Sequence, residues 1–292
     1  AFGVTAGLLD EFGAGRVINT PISEDTIMGL AVGAAVAGKR PIIEIMFMDF
    51  MTLAMSQLVN HAAKLHFMSG GQLDVPMVVR VQQGAVGGWG SQHSQSLEAW
   101  LTHVPGLKVV APSTAVDAGQ LVRAASQDES PVIFIEHRGL YFKEDPPGWE
   151  TMSQLGLGQS RTVREGSDVT LVSYSKMLVE VLSAADELAS RGVSAEVIDL
   201  RSLAPIDLGP ILMSIEKTNH LAIVHEAVVQ GGLGAEIAAQ VQGFAFDSLD
   251  APIERIGAPF SPPPASSVLE AAFVPDSGRI VSTIERMLGT AG

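Results

Sequence analysis

Glu24 stands in Thr20-Pro21-Ile22-Ser23-Glu24, just ahead of the apolar, glycine-dotted run Ile27-Met28-Gly29-Leu30-Ala31-Val32-Gly33-Ala34-Ala35-Val36-Ala37-Gly38. A carboxylate at the mouth of such a helix has two readings. Ser23 is an N-cap type, and the helix dipole favours acidic side chains in a first turn. The alternative is a proton-carrying acid, which needs its carboxyl removed from water. The local pattern alone leaves both open. His93 lies in Gly87-Gly88-Trp89-Gly90-Ser91-Gln92-His93-Ser94-Gln95. Glycine-rich polar loops after parallel strands are where α/β folds carry ligands, and histidine is the usual proton carrier near neutral pH. A solvated loop histidine fits the same residues.

Other chemistry is thin. His61 and His66 are five apart, not the i, i+4 of a helical zinc pair. His220 and His225 bracket a strand and read as structural. Met46, Phe47, Met48 and Phe50 follow a strand end, and such a Met/Phe cluster is more often core than cofactor pocket. No Gly-x-Ser-x-Gly elbow and no Gly-x-Gly-x-x-Gly turn is present. The His93 loop lacks the lysine and spacing of a phosphate-binding P-loop.

These residues must be positioned by alternating elements. Apolar runs predict strands at Pro41–Met46, Pro76–Val81, Leu107–Val110, Val132–Glu136, Val169–Ser173, Ser194–Asp199, Leu221–Val224 and Ile253–Ile256. Helical periodicity predicts helices near 24–38, 49–67, 114–127, 176–191, 206–217, 231–243 and 277–289. Alternation of this kind means α/β, and strands apolar throughout suit parallel sheets covered on both faces. The charged, proline-rich stretch Lys143–Glu150 reads as the start of a linker. The division is therefore a first α/β domain over 1–145, a linker over 146–166 and a second α/β domain over 167–292. Two domains suit 292 residues, at about 100–200 residues each.

Composition narrows the partners. Lysine and arginine total 18 against 32 acidic residues, a net charge of −14. Such a surface repels nucleic acid and anionic membranes. No apolar run reaches the roughly 20 residues of a spanning helix. With no cysteine, disulfides, thiolate zinc sites and thiol nucleophiles are excluded. A cytoplasmic location fits, and no signal peptide is visible.

Several stretches, in order along nearly the whole chain, carry a resemblance. They are Asn19–Glu24, Gly38–Glu44, Ala62–Gly71, Gln92–Gln95, Pro105–Val110 and Val197–Arg201. Together they resemble the beta subunits of thiamine-diphosphate-dependent 2-oxo acid dehydrogenases, which include pyruvate, branched-chain and acetoin dehydrogenases. The resemblance implies a transketolase-like pyrimidine-binding domain followed by a transketolase C-terminal-like domain. It implies that Glu24 hydrogen-bonds the cofactor's pyrimidine ring and moves the proton that activates its thiazolium carbon. Ile22 and Phe50 would pack on the pyrimidine, and Met46 would line the same pocket. His93 would meet the substrate carboxylate or assist acyl transfer to lipoamide. Oxygens of Met77, Ala125, Ser126, Asp128 and Ser130 match a structural potassium site of some relatives, with Ser130 where one branch has asparagine.

The chain departs from the family in one informative way. The Gly-Asp-Gly of the family's diphosphate and magnesium motif is absent. The resemblance then implies an alpha subunit that supplies it, an α2β2 heterotetramer, and docking to a lipoyl acyltransferase core. The second domain would serve mainly in those contacts. Family members also carry about one further helix and strand before the segment matching Ala1–Leu9, an extension of ordinary element lengths. The leading expectation is decarboxylation of a 2-oxo acid with acyl transfer to lipoamide. Acetoin cleavage is the runner-up, prompted by Ile45–Phe50 and His137-Arg138-Gly139-Leu140. A self-contained transketolase-type enzyme and a non-catalytic scaffold are the further alternatives.

Overall fold

Two five-stranded sheets, each mostly parallel and flanked by helices, make up the chain in the computed structural model, which describes residues 2–145, 147–148 and 151–290. In the first, β1 (Ile42–Ile45), β2 (Val78–Gln83), β3 (Lys108–Val110) and β4 (Val132–His137) run parallel in the order β1-β2-β4-β3. Val78 pairs with Val132 and Val79 with Ile133. Every residue of β2 is buried, the burial expected of a parallel strand covered on both faces. In the second sheet β6 (Val169–Ser173), β7 (Ala195–Asp199), β9 (Leu221–Val228) and β10 (Glu254–Ala258) are parallel, and β5 (Arg161–Arg164) closes one edge antiparallel to β7.

The helices are α1 (Leu8–Phe12), α2 (Glu24–Val36), α3 (Met51–Ser56), α4 (Leu65–Met68), α5 (Glu98–Thr102) and α6 (Ala115–Gln127). The second half adds α7 (Met177–Ser190), α8 (Gly209–Thr218), α9 (Leu233–Ala245), α10 (Ser267–Phe273) and α11 (Ser277–Leu288). Thr114 caps α6 by accepting from Asp117 N, and Asp276 caps α11 by accepting from Arg279 N. The single helix expected over 49–67 is instead a tight turn (Met48–Phe50), α3, a wide π turn (Gln57–Ala62) and α4. Ala63 N reaches back five residues to Leu58 O at 3.0 Å.

Strand β5 lies inside the stretch assigned to the linker, because Thr162 pairs with Ile198 on the second sheet. Pro146, Trp149 and Glu150 of that stretch lie outside the described residues. The two sheets are also joined. Strand β8 (Ser202–Ala204) leaves the second domain and pairs antiparallel with β3 at the edge of the first sheet. One apolar cluster runs through both, from Met28, Val79 and Ile133 to Val172, Ile198 and Ile223.

A polar knot lies at the same junction. The Arg201 side chain is fully buried, and its Nε donates to Asp117 Oδ1 at 2.7 Å. Arg161 Nη2 reaches the same oxygen at 3.0 Å. Arg201 also donates to the carbonyls of Gln159 and Leu155. Charges removed from water in this way persist only when paired and hydrogen-bonded. The knot therefore fixes how the domains meet.

Candidate active site

Glu24 opens α2 and is 9% exposed. Ser23 holds the N-cap position, but its hydroxyl accepts from no helix N–H and donates instead to Thr26 Oγ1 at 3.0 Å. Among the described residues no donor is hydrogen-bonded to the Glu24 carboxylate. Its oxygens keep contact with solvent, so the carboxylate stands open to a ligand. Ile22, two residues earlier, is 74% exposed, as is required of a side chain that packs on a bound ring.

The outer face of α2 is apolar too. Leu30 and Val36 are exposed on it, and Leu53 of α3 and Phe67 and Met68 of α4 are exposed nearby in sequence. A helix apolar all round is normally covered all round.

His93 sits at the centre of a ring cluster. Phe47 and Phe50 meet its imidazole edge-on at 4.8 and 5.3 Å between centroids, and Trp89 lies at 6.3 Å. Phe47 lies two residues after β1 and Phe50 ends the next turn, so the carboxyl end of a parallel strand builds this wall, where α/β folds carry ligands. Met46 precedes them and is half-buried, whereas Met48 belongs to the core. The Met/Phe segment is thus core on one side and pocket wall on the other.

Asp49 pins the loop to that wall. Its Oδ1 accepts from Gln95 Nε2 at 2.7 Å. Arg138, after β4, lies 5.3 Å above Phe47 and 4.9 Å above Trp89, and its Nη2 donates to the carbonyls of Gly84 and His93 at 3.0 Å each. Burial among the rings lowers the Arg138 pKa, opposed by Asp49 and Glu270. Arg138 Nε and Nη1 are buried without partners among the described residues. The other wall of the loop is Glu226 at the end of β9. It accepts from Ala85 N and, at 2.8 Å, from His137 Nε2. Gly139 N donates to His137 Nδ1 at 3.0 Å, which assigns the ring proton to Nε2. No hydrogen bond, ion pair or ring contact joins Glu24 to this cluster among the described residues.

The remaining expected residues line the turn between α6 and β4. Met77 O accepts from Val132 N, Ala125 O from Asp128 N, and Ser126 O and Asp128 O from Arg40 Nη1. The Asp128 carboxylate takes Lys108 Nζ at 2.5 Å and Ser130 N at 2.8 Å, and these hold its pKa below the usual range against its burial. Each of these oxygens thus accepts from a donor of the chain, with Arg40 and Lys108 close by. Among the described residues no group of three or more histidines and carboxylates could hold a metal ion. No helix among them is long and apolar enough to cross a membrane.

Sequence reasoning does not single out Phe47, Trp89, Asp49, Arg138, Glu226 or Glu270 as site residues. It marks the His137-Arg138 pair only as a segment, without a role. Two cavities flank these elements. One of about 310 Å³ lies behind the loop, lined by Ser94, Gln95, Ala227, Phe260 and Phe273. The larger, about 580 Å³, lies between α5, α9 and Pro205 and contains none of the expected site residues.

Known proteins share this architecture. The transketolase pyrimidine binding domain matches residues 1–143, and the transketolase C-terminal domain matches 158–280. The chain is 45% identical over 98% of its length, and 77% of the relative's, to the pyruvate dehydrogenase E1 component subunit beta-2, mitochondrial, of Oryza sativa subsp. japonica. It is 46% identical over 98% of its length, and 84% of the relative's, to the acetoin:2,6-dichlorophenolindophenol oxidoreductase subunit beta of Bacillus subtilis (strain 168). A solved structure described as a split gene transketolase, inactive beta4 tetramer, superposes with a TM-score of 0.82 at 22% identity, over 99% of this chain and 89% of that one, a likeness of fold. With both transketolase-type domains in order and relatives of this identity along nearly all its length, the chain belongs to the family of beta subunits of thiamine-diphosphate-dependent 2-oxo acid dehydrogenases.

Proposed function

We propose that this chain is the proton-relay half of a shared active site that decarboxylates a 2-oxo acid and passes the acyl group to lipoamide. The observation that carries the proposal is Glu24 at the mouth of an uncovered apolar helix, 9% exposed and with no hydrogen-bond partner for its carboxylate among the described residues. Thiamine diphosphate, when bound, supplies a nucleophilic carbon and an electron sink. Glu24 holds and moves one proton at its carboxylate. Ile22, Phe50 and Met46 exclude water from the aminopyrimidine side. His93, held edge-on by Phe47 and Phe50, presents an imidazole to the substrate's charged end. Arg138 places a positive charge behind it.

The other half comes from a second polypeptide. The chain lacks Gly-Asp-Gly, and a magnesium ion bridging phosphates needs oxygen ligands. An alpha subunit covering the α2–α4 face in an α2β2 assembly meets both needs. The same face argues against a self-contained transketolase-type enzyme.

Identity to the pyruvate and acetoin relatives is nearly equal, 45% and 46%, and chooses neither substrate. The test is a panel of 2-oxo acids and acetoin offered to the complex reconstituted with its alpha subunit, thiamine diphosphate and magnesium. A 2-oxo acid turned over best supports the proposal. Acetoin turned over best, with 2-oxo acids inert, replaces it with the runner-up.

A further inference from the structure

The loop Gly84–Gln95 belongs to the first sheet, yet the second domain sets its shape. Gly87 N and Gly88 N donate to the two carboxylate oxygens of Glu270, at 2.9 Å each. Gly87 and Gly88 have φ of 85° and 71°. Two successive left-handed residues turn their N–H groups to one side and form a cup for an anion. Here the anion is internal. Ala265 presses on the same turn, since a Cβ on Gly88 would lie 2.7 Å from its carbonyl oxygen. Ser91 Oγ adds a bond to Pro263 O at 2.8 Å. Trp89 and His93 follow the cup directly, so its orientation aims both rings at Phe47 and Arg138.

We infer that Glu270 is a positioning residue for His93. The inference rests on reading His93 as an active-site residue. Glu270 is buried on α10 and hydrogen-bonds neither the imidazole nor Glu24, so it reaches His93 through the loop, with its charge also felt by Arg138. A group that only docked the two domains would affect stability and leave the aim of His93 unchanged.

Glu270→Gln keeps volume but sets an amide donor against one of the two N–H groups. In the reconstituted complex, kcat falls roughly 10- to 100-fold, the scale of a misplaced reacting group. KM stays within a few-fold, and assembly is intact. Glu270→Asp, which keeps both acceptors, recovers part of the loss. In a His93→Ala background Glu270→Gln adds almost nothing, because coupled residues are not additive. A second measurement needs no cofactor. In a chain with Trp100 and Trp149 changed to Phe, Glu270→Gln raises acrylamide quenching of Trp89. Unchanged quenching and unchanged kcat overturn the inference, as does full additivity with His93→Ala. An inactive wild-type complex would sink the functional reading, while the Trp89 measurement would still decide whether Glu270 sets the loop.

Discussion

Asp199 ends β7 inside the domain junction with its carboxyl fully buried. Burial, and after it the neighbouring Asp117 carboxylate, pushes its pKa up to about 7. Ser113 Oγ and Arg201 N both donate to Oδ1, at 2.9 and 3.2 Å, and Oδ2 has no partner among the described residues. An amide satisfies that pattern as well as a carboxyl. In the unfolded chain the group titrates near 3.9. Between about pH 4 and 7 the folded chain therefore keeps a proton that the unfolded chain releases. Its stabilising share is complete below the unfolded value and is lost as pH rises to the folded one. A difference of that size between the folded and unfolded pKa corresponds to roughly 4 kcal/mol. Asp199→Asn carries no such loss. It should match the wild type at pH 4 and exceed it by roughly 4 kcal/mol at pH 8, about 6 °C in Tm. Thermal and urea unfolding followed by circular dichroism from pH 4 to 8 reads this directly. Parallel wild-type and variant curves across that range would refute the reasoning.

His225 tilts the other way. It is fully buried, and burial pulls its pKa down to about 4. Its stabilising share is present above the unfolded value near 6.5 and is lost as pH falls to 4, by roughly 3 kcal/mol. His225→Gln should lack this acid loss in urea midpoints from pH 4 to 7. Glu24→Gln should keep assembly and lose roughly 10²–10⁴ in turnover, the range of general acid–base catalysis; normal turnover would remove Glu24 from the mechanism. Gly88→Ala forces a side chain into the left-handed region, at roughly 1–2 kcal/mol, and against Ala265 O. It should speed limited proteolysis within 84–95, and an unchanged rate would show that the turn does not need glycine.

Much of this was legible because it is local. The strands β2, β4 and β6 are built around apolar residues such as Val78-Val79, Val132-Ile133 and Leu171-Val172, and parallel sheets written this way are visible in one dimension. Glu24 and His93 stood out as chemical types in unusual settings. What stayed hidden is non-local. Strand β8 is three residues long, and it is a strand only because β3 offers an edge. Strand β5 begins with Arg161, whose side chain serves the Asp117 knot rather than a strand pattern. Val197-Ile198-Asp199-Leu200-Arg201 was readable as a family segment, but its role of tying two domains emerges only when Asp117, 84 residues from Arg201, arrives beside it. Glu226 and Glu270 meet the His93 loop from 141 and 183 residues away. No spacing rule connects such distances. The uncovered face of α2 is the opposite case: its apolar residues are plain in the sequence, and only the fold reveals that nothing among the described residues covers them.

The central claim is that Glu24 works in a site this chain cannot complete alone. The direct test is turnover of a 2-oxo acid with thiamine diphosphate and magnesium by the purified chain, by its alpha subunit, and by the two mixed. The account predicts turnover in the mixture alone, abolished to background by Glu24→Gln. Turnover by the isolated chain would contradict it.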